Sequence, residues 1–322
     1  MSTNQIQNVA IIGGTGQVGS RILSSLLTVK RFNITAVSRS DSQAAFPENV
    51  KVVKGDYNSD TFLEQALVGI EALIITLAVT APKDLEKRII DAAIKAGVTW
   101  IIPNGFVSDG AHPHMGGKIT VNAHKAVLRR QIEQSGNGKT KWISIVNGPW
   151  YDFSLKNLAF SIDPVNRKAT LYDDGKVKFN TTTWHMVGAG VAALLSLPVS
   201  GHSPTLSDYA NKFVYLSSFH IGQRDILDAA QAATGTTEKD WTIEQKDAQS
   251  YTDDGFAKMS RGDISGIVPM IYGSHFIEGL GGSYEGKKQT LNNVVGGLPK
   301  EDIVEVTKRL IAEMEATKSS AS

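Results

Sequence analysis

A chain of 322 residues with 41% hydrophobic side chains is long enough to bury a doubly wound core and still carry a second, smaller lobe. Its 33 basic and 32 acidic residues leave a formal charge of +1, which excludes the basic footprint of a nucleic-acid or anionic-membrane binder, so a small-molecule partner is expected. With no cysteine there is neither a disulfide framework nor a thiolate nucleophile, and the polar start MSTNQIQ reads as no signal peptide, so a cytoplasmic address is expected.

The first element is residues 9–12 (VAII), an apolar run that reads as a strand and ends in a glycine cluster. The spacing of Val18, Ile22, Leu23, Leu26 and Leu27 then reads as a helix, so the order is strand, tight turn, helix. Gly13 permits the sharp exit from the strand, Gly16 removes the Cβ that would block a pyrophosphate, and Gly19 lets the helix pack on the sheet. Gly14, Gly16 and Gly19 fit G-x-G-x-x-G, whereas Gly13, Gly16 and Gly19 fit G-x-x-G-x-x-G; either frame predicts dinucleotide binding at a helix N-terminus. A second strand over 33–37 delivers Arg39 about 20 residues past the glycines. An acidic residue there would select NAD, while a guanidinium fork suits the 2′-phosphate of NADPH; a solvated arginine is the alternative.

Residues 50–54 give a third strand, followed by Asp56, which either sits beside the adenine or caps the next turn. A short helix over 59–68 and a fourth strand over 72–76 come next, and Pro82 stands at the N1 position of a helix carrying Leu85, Ile89, Ile90 and Ala93. The loop 77–81, with Ala78, therefore leaves the carboxyl end of a central strand, the edge where ligands sit in an open α/β sheet. The longest apolar run, 72–81, is broken by two threonines and falls far short of the roughly 20 residues of a membrane span. A fifth strand over 98–102 brings Asn104 and Phe106 to the same edge. A glycine- and histidine-rich loop leads to a helix over 119–134, and a sixth strand over 141–146 runs on to Pro149, Trp150 and Tyr151. This alternation predicts a parallel sheet with right-handed crossovers.

Beyond Phe153 the rhythm changes. Asp173-Asp174-Gly175 predicts a hairpin over 171–179, followed by a helix over 187–195, a strand over 212–216, a helix over 221–233, a strand over 241–244 and a final helix over 300–315. Only the two tails read as disordered, and the glycine-rich span 273–297, anchored by Phe276, Ile277 and Leu280, reads as a mobile cover. The expected architecture is α/β: a Rossmann-type doubly wound parallel sheet over residues 1–155 and a smaller α+β substrate lobe over 156–322. The 187–195 helix and the 212–216 strand can return from the second part to the first.

Two Tyr-x-x-x-Lys spacings, Tyr172 to Lys176 and Tyr284 to Lys288, fall in a turn and a loop rather than on one helical face, so neither is taken as a catalytic pair. His112, His114 and His124 have no carboxylate cluster beside them, and no metal site is expected. Lys125 lies on the helix between strands five and six, where spacing alone is compatible with a solvated lysine or a functional one. Phe106, Trp150, Tyr151, Phe153, His275 and Phe276 are candidates for a substrate wall, with ordinary core packing the alternative for each aromatic.

At Lys125 the chain resembles a known family. The run 125–133 (KAVLRRQIE) is similar to the helix of isoflavone reductase-like and phenylcoumaran benzylic ether reductase-like proteins, atypical short-chain dehydrogenase/reductases of the NmrA-like group. Gly13, Gly14, Thr15, Gly16, Gln17, Val18 and Gly19 resemble their nucleotide loop, Arg39 their NADPH arginine and residues 103–106 (PNGF) their Pro-Ser-Glu-Phe strand end. Residues 147–155 are similar to the fungal aromatic alcohol reductase branch. The resemblance implies an NADPH-dependent reductase of aromatic, often phenolic, secondary metabolites (an enone, ketone or benzylic ether), as monomer or homodimer, with Lys125 as acid/base. Asp56, Ala78, Asn104, Lys125 and Pro149 are then expected to join the glycine loop and Arg39 around the cofactor. The group also includes dinucleotide-binding regulators that signal to a protein partner without turnover, which is the alternative reading.

Overall fold

Continuous apolar runs, buried on both faces, build the centre of the first sheet. In the computed structural model, which describes residues 4–78 and 80–321, the N-terminal half runs β1 (Asn8–Ile12), α1 (Gln17–Val29), β2 (Asn33–Arg39), β3 (Lys51–Gly55), α2 (Asp60–Ala66), β4 (Ala72–Ile75), α3 (Leu85–Lys95), β5 (Trp100–Ile102), α4 (Thr120–Ser135) and β6 (Lys141–Val146). The chain continues as α5 (Tyr151–Lys156), β7 (Ile162–Asp163), β8 (Lys168–Tyr172), β9 (Phe179–Thr181), α6 (Trp184–Leu195), β10 (Lys212–Tyr215), β11 (Phe219–Ile221), α7 (Gln223–Thr234), β12 (Thr242–Lys246), α8 (Ala248–Ser260), α9 (Ile267–Phe276) and α10 (Ile303–Ala321).

Seven strands pair in the order β10-β6-β5-β4-β1-β2-β3, all in parallel, which is a Rossmann-type α/β fold. The side-chain period of two sorts each strand between two cores. Val9, Ile11, Ala72, Ile74, Trp100 and Ile102 face α1 and α6, while Ala10, Ile12, Leu73, Ile75 and Ile101 face α2, α3 and α4. Helices α1 and α6 approach closely because Gly188 lacks a Cβ, which would lie 2.5 Å from the Arg21 carbonyl oxygen. The Thr183 hydroxyl caps α6 by accepting from Met186 N at 3.0 Å, an interaction generally worth about 1 kcal/mol. A third core, with Tyr151, Phe160, Phe179, Tyr172, Phe276 and Leu310, lies among α5, α7, α9, α10 and two small sheets, β12-β8-β7 and β11-β9.

Four expectations are corrected. Pro82 is not at N1 of α3: the helix begins at Leu85 with Asp84 as its cap, and the Pro82 carbonyl instead accepts from Leu85 N. The residues 171–179 do not form a hairpin, although Asp173 and Gly175 adopt positive φ and Gly175 N closes a turn on Tyr172 O. Turn chemistry dictates a reversal but not a partner; Gln223 Oε1 takes Tyr172 N at 2.8 Å, β8 pairs with β12 and β7, and β9 pairs with β11. The span 273–297 is no continuous loop, because Gly273, Ser274, His275 and Phe276 are buried in α9. Farther on, Tyr284 is pinned by its hydroxyl on Leu216 O at 2.6 Å and its N–H on Asn180 Oδ1 at 2.9 Å. The C-terminal tail is helical to Ala321. At the other end, Met1, Ser2 and Thr3 lie outside the described residues, and the Asn4 side chain already bonds Ser200 O. No described helix is long and apolar enough to cross a membrane.

Candidate functional site

The turn between β1 and α1 separates glycines the fold requires from one it does not. Gly13 has φ +81°, and a Cβ there would lie 2.1 Å from Thr76 O; a Cβ on Gly19 would lie 2.1 Å from Gly13 O. Both residues are fixed by the chain's own packing. Gly16 has φ −70° and ψ 172°, which any residue adopts, and its nearest would-be contact is Gly13 O at 3.3 Å. Its missing side chain opens a cradle toward solvent, where Thr15, Gly16 and Gln17 are exposed. Helix α1 has no side-chain cap, so the amides of its first turn lack a capping side chain. Val18 is buried beneath this turn.

At the end of β2, Arg39 is exposed and its Nε lies 3.4 Å from Asp41 Oδ1, an ion pair of little worth in water. The register of β2 and β3 sets Ser38 opposite Lys54, whose Nζ donates to Ser42 O at 2.7 Å. Two cations therefore flank the same strand end. Asp56 accepts from Asn58 N at 2.8 Å, the local turn-capping role.

Across the sheet edge, Lys125 of α4 is not a solvated lysine. Its side chain is 13% exposed and its ammonium lies 2.8 Å from Glu86 Oε2, a carboxylate 7% exposed in the first turn of α3. Glu86 Oε1 accepts the main-chain N–H of Asn104 at 2.9 Å, and Asn104 Nδ2 donates to Leu77 O at 3.2 Å. The network thus ties α3 and α4 to the exits of β5 and β4, with Ala78 exposed beside it. Val79, within the 77–81 loop, lies outside the described residues. Pro149, after β6, is buried, and its carbonyl accepts from Thr181 Oγ1 at 2.7 Å and Thr182 N at 3.1 Å.

The six expected substrate residues do not converge on one wall. Tyr151 is fully buried, with its hydroxyl 2.6 Å from Thr307 Oγ1 and its ring edge-on to Phe219, so its place is the core; burial raises its phenol pKa. Phe276 stacks on Tyr172 in the same core, and Phe106 is buried against the sheet. Trp150 and Phe153 are half-buried and pack edge to face on the α1 and α6 side. These five rings are divided between two separate apolar cores, so they do not form a common surface. His275 alone of the six lines a cavity of about 540 Å³, together with Asp109, His112, His220, Tyr284 and Lys288 among others.

His275 has a defined tautomer. Its Nδ1 lies 2.8 Å from Ile271 O, which can only accept, so Nε2 receives the Ser108 hydroxyl at 3.2 Å. Burial lowers its pKa from 6.5 to about 4. Between those values the unfolded chain takes up a proton that the folded chain refuses, so stability falls as pH drops through this window and levels off below it. The contribution is on the order of 3 kcal/mol at 1.36 kcal/mol per unit. Urea unfolding at pH 7, 5.5 and 4 should show wild type losing that much more than His275→Gln; parallel losses would refute the assignment.

The sequence profile of the NmrA-like family matches residues 5–183, over half of the 322-residue chain. The chain belongs to the NmrA-like family. Among curated relatives of this NmrA-like chain, the oxidoreductase aprR of Aspergillus flavus is 26% identical over 306 residues, covering 94% of this chain and 98% of that protein. Quinone oxidoreductase 2 of Escherichia coli is 34% identical over 100 residues, 29% of this chain and 34% of that protein. The structure of AtPrR2 with NADP+ and (+)pinoresinol superposes with a TM-score of 0.75 at 17% identity, covering 95% of this chain and 99% of that one. At such identity the likeness establishes the shared fold.

Sequence reading of the NmrA-like chain missed Glu86 and Lys54. Lys54 had a signal, since parallel β2 and β3 must bring their carboxyl ends together. Glu86 reads as one more charge on an amphipathic helix and becomes visible only once α3 and α4 lie side by side.

Proposed function

We propose that this oxidoreductase binds NADPH across the β1–α1 turn and reduces a small aromatic, phenolic type of compound (a ketone, enone, quinone or benzylic ether), with Lys125 as the proton donor. The observation that carries the reading is the largely buried Lys125 side chain, its ammonium held by Glu86 at the strand exits that also carry Asn104 and Ala78. The cofactor supplies a hydride when bound. The cradle at Gly16 and the uncapped first turn of α1, with Thr15 and Gln17, suit a pyrophosphate. Arg39 and Lys54 suit a 2′-phosphate, and an exposed partner such as Asp41 is readily exchanged for one. Lys125 holds a proton at Nζ and gives it to the substrate oxygen on which negative charge develops, while Glu86 keeps the ammonium in place. The names of the relatives, oxidoreductases of fungal and bacterial origin, agree with this chemistry.

The testing experiment is an NADPH-oxidation screen over phenolic ketones, enones, benzylic ethers and 1,4-naphthoquinone. Turnover on one class establishes the reaction and the substrate type together. Tight NADPH binding without turnover on any class would replace the reductase by a dinucleotide-sensing regulator. For cofactor choice, Arg39→Ala should remove a charge-assisted contact of about 1.5–3 kcal/mol, weakening NADPH binding by roughly 10- to 150-fold and leaving NADH almost unchanged. Titrating both cofactors checks this, and an equal loss for both would remove Arg39 from the 2′-phosphate site.

A further inference from the structure

We propose that Glu86 is the positioning residue of the site: one buried carboxylate fixes the Lys125 ammonium to the main chain at the exit of β5. This rests on the reading of Lys125 as proton donor. A lysine has a long, flexible stem whose ordering costs up to about 2 kcal/mol, so a lysine that must meet one substrate atom needs an anchor. Glu86 provides it with both oxygens engaged, Oε2 on Lys125 Nζ at 2.8 Å and Oε1 on Asn104 N at 2.9 Å. Asn104 in turn holds Leu77 O, so the anchor is shared by α3, α4 and two adjacent strand exits.

A neighbouring cation on α4 does not compete for this role. Arg129 stands one turn after Lys125 on α4 and senses Glu86, yet its guanidinium lies over the rings of Phe213 and Trp142, at 4.7 and 5.4 Å. Its seat is aromatic, which leaves the Glu86 carboxylate to the lysine. His124, beside Lys125 in sequence, is exposed. An ion pair placed there only for stability would not need its second oxygen locked to the strand whose end carries the candidate cofactor contact, Asn104.

The test uses Glu86→Gln, which retains an acceptor for Asn104 N–H but removes the charge. Limited acetylation of the full-length protein, read by peptide mass spectrometry, measures how freely Lys125 reacts relative to the other lysines, without any need for turnover. In Glu86→Gln, Lys125 should react at least roughly fivefold faster; an unchanged rate would overturn the proposal. NADPH oxidation with 1,4-naphthoquinone, or with the fastest substrate of the screen, is then measured in both lysine backgrounds. Glu86→Gln should lower kcat roughly tenfold in wild type, with NADPH Kd little changed, and should have no further effect in Lys125→Ala. Equal losses in the two backgrounds, or no loss in either, would reduce Glu86 to a structural ion pair. If Lys125→Ala itself turns over like wild type, the proton-donor reading fails, and the labelling rate still decides whether Glu86 anchors the lysine. Should Glu86→Gln not fold, Glu86→Asp, which withdraws the charge by one methylene, should give an intermediate labelling rate; a wild-type rate would overturn the anchor.

Discussion

Lys125→Ala is expected to retain NADPH binding within a few-fold and to lose roughly 10²–10⁴-fold in kcat, the usual worth of a positioned acid or base. Binding survives because the phosphate contacts proposed for the glycine loop, Arg39 and Lys54 lie at the ends of β1, β2 and β3, on other elements than α4. The variant also strands the Glu86 carboxylate, 7% exposed, without its cation. Removing one partner of a buried pair generally costs about 3–5 kcal/mol, so the melting temperature should fall too, and rates must be taken well below the new Tm. Lys125→Arg separates the two effects. It keeps the charge beside Glu86 and hence much of the stability, but a guanidinium does not release its proton near neutral pH. A variant that is stable, binds NADPH and barely turns over identifies proton donation as the missing function. If Lys125→Arg works at close to the wild-type rate, Lys125 acts through charge alone.

The contrast between what the sequence disclosed and what it hid follows from the range of the interactions. The β1–α1 turn was legible because its constraints are local: Gly13, Gly16 and Gly19 lie within seven residues, and steric exclusion acts between near neighbours. The sheet was legible because strands buried on both faces read as continuous apolar runs. The hairpin over 171–179 failed because the deciding partner of Tyr172 is Gln223, 51 residues away. Helices α8 and α9 leave little trace in the sequence: α8 offers few apolar residues, and α9 is buried on most sides and so shows no clear stripe. The Asp247 cap, which accepts from Ser250 N at 2.6 Å, was the one start signal available for α8. The aromatic wall failed for the opposite reason, since composition near strand ends does not say which way a ring points. Glu86 and Lys125 are 39 residues apart, and no periodicity joins them.

Gly16→Ala and Gly19→Ala should behave as opposites, and together they test whether the β1–α1 turn is built for a ligand. At Gly19 the added methyl would lie 2.1 Å from Gly13 O and 2.6 Å from Thr76 Oγ1, so the turn, α1 and the exit of β4 must all shift. Overpacking of that kind commonly costs about 1–3 kcal/mol, and the variant should melt several degrees lower while losing NADPH affinity as a secondary result. At Gly16 the backbone is extended and the nearest atom, Gly13 O at 3.3 Å, has to give by only a few tenths of an ångström, so Tm should fall far less than in Gly19→Ala. The same methyl fills the cradle in front of the α1 amides, and NADPH affinity should fall by at least roughly tenfold, corresponding to about 1.4 kcal/mol. Calorimetric melting and NADPH titration of the two variants decide the matter. A Gly16→Ala protein that melts and binds like wild type would mean that the turn does not receive the pyrophosphate. One that melts far below it would mean that Gly16, like Gly13 and Gly19, serves the fold itself.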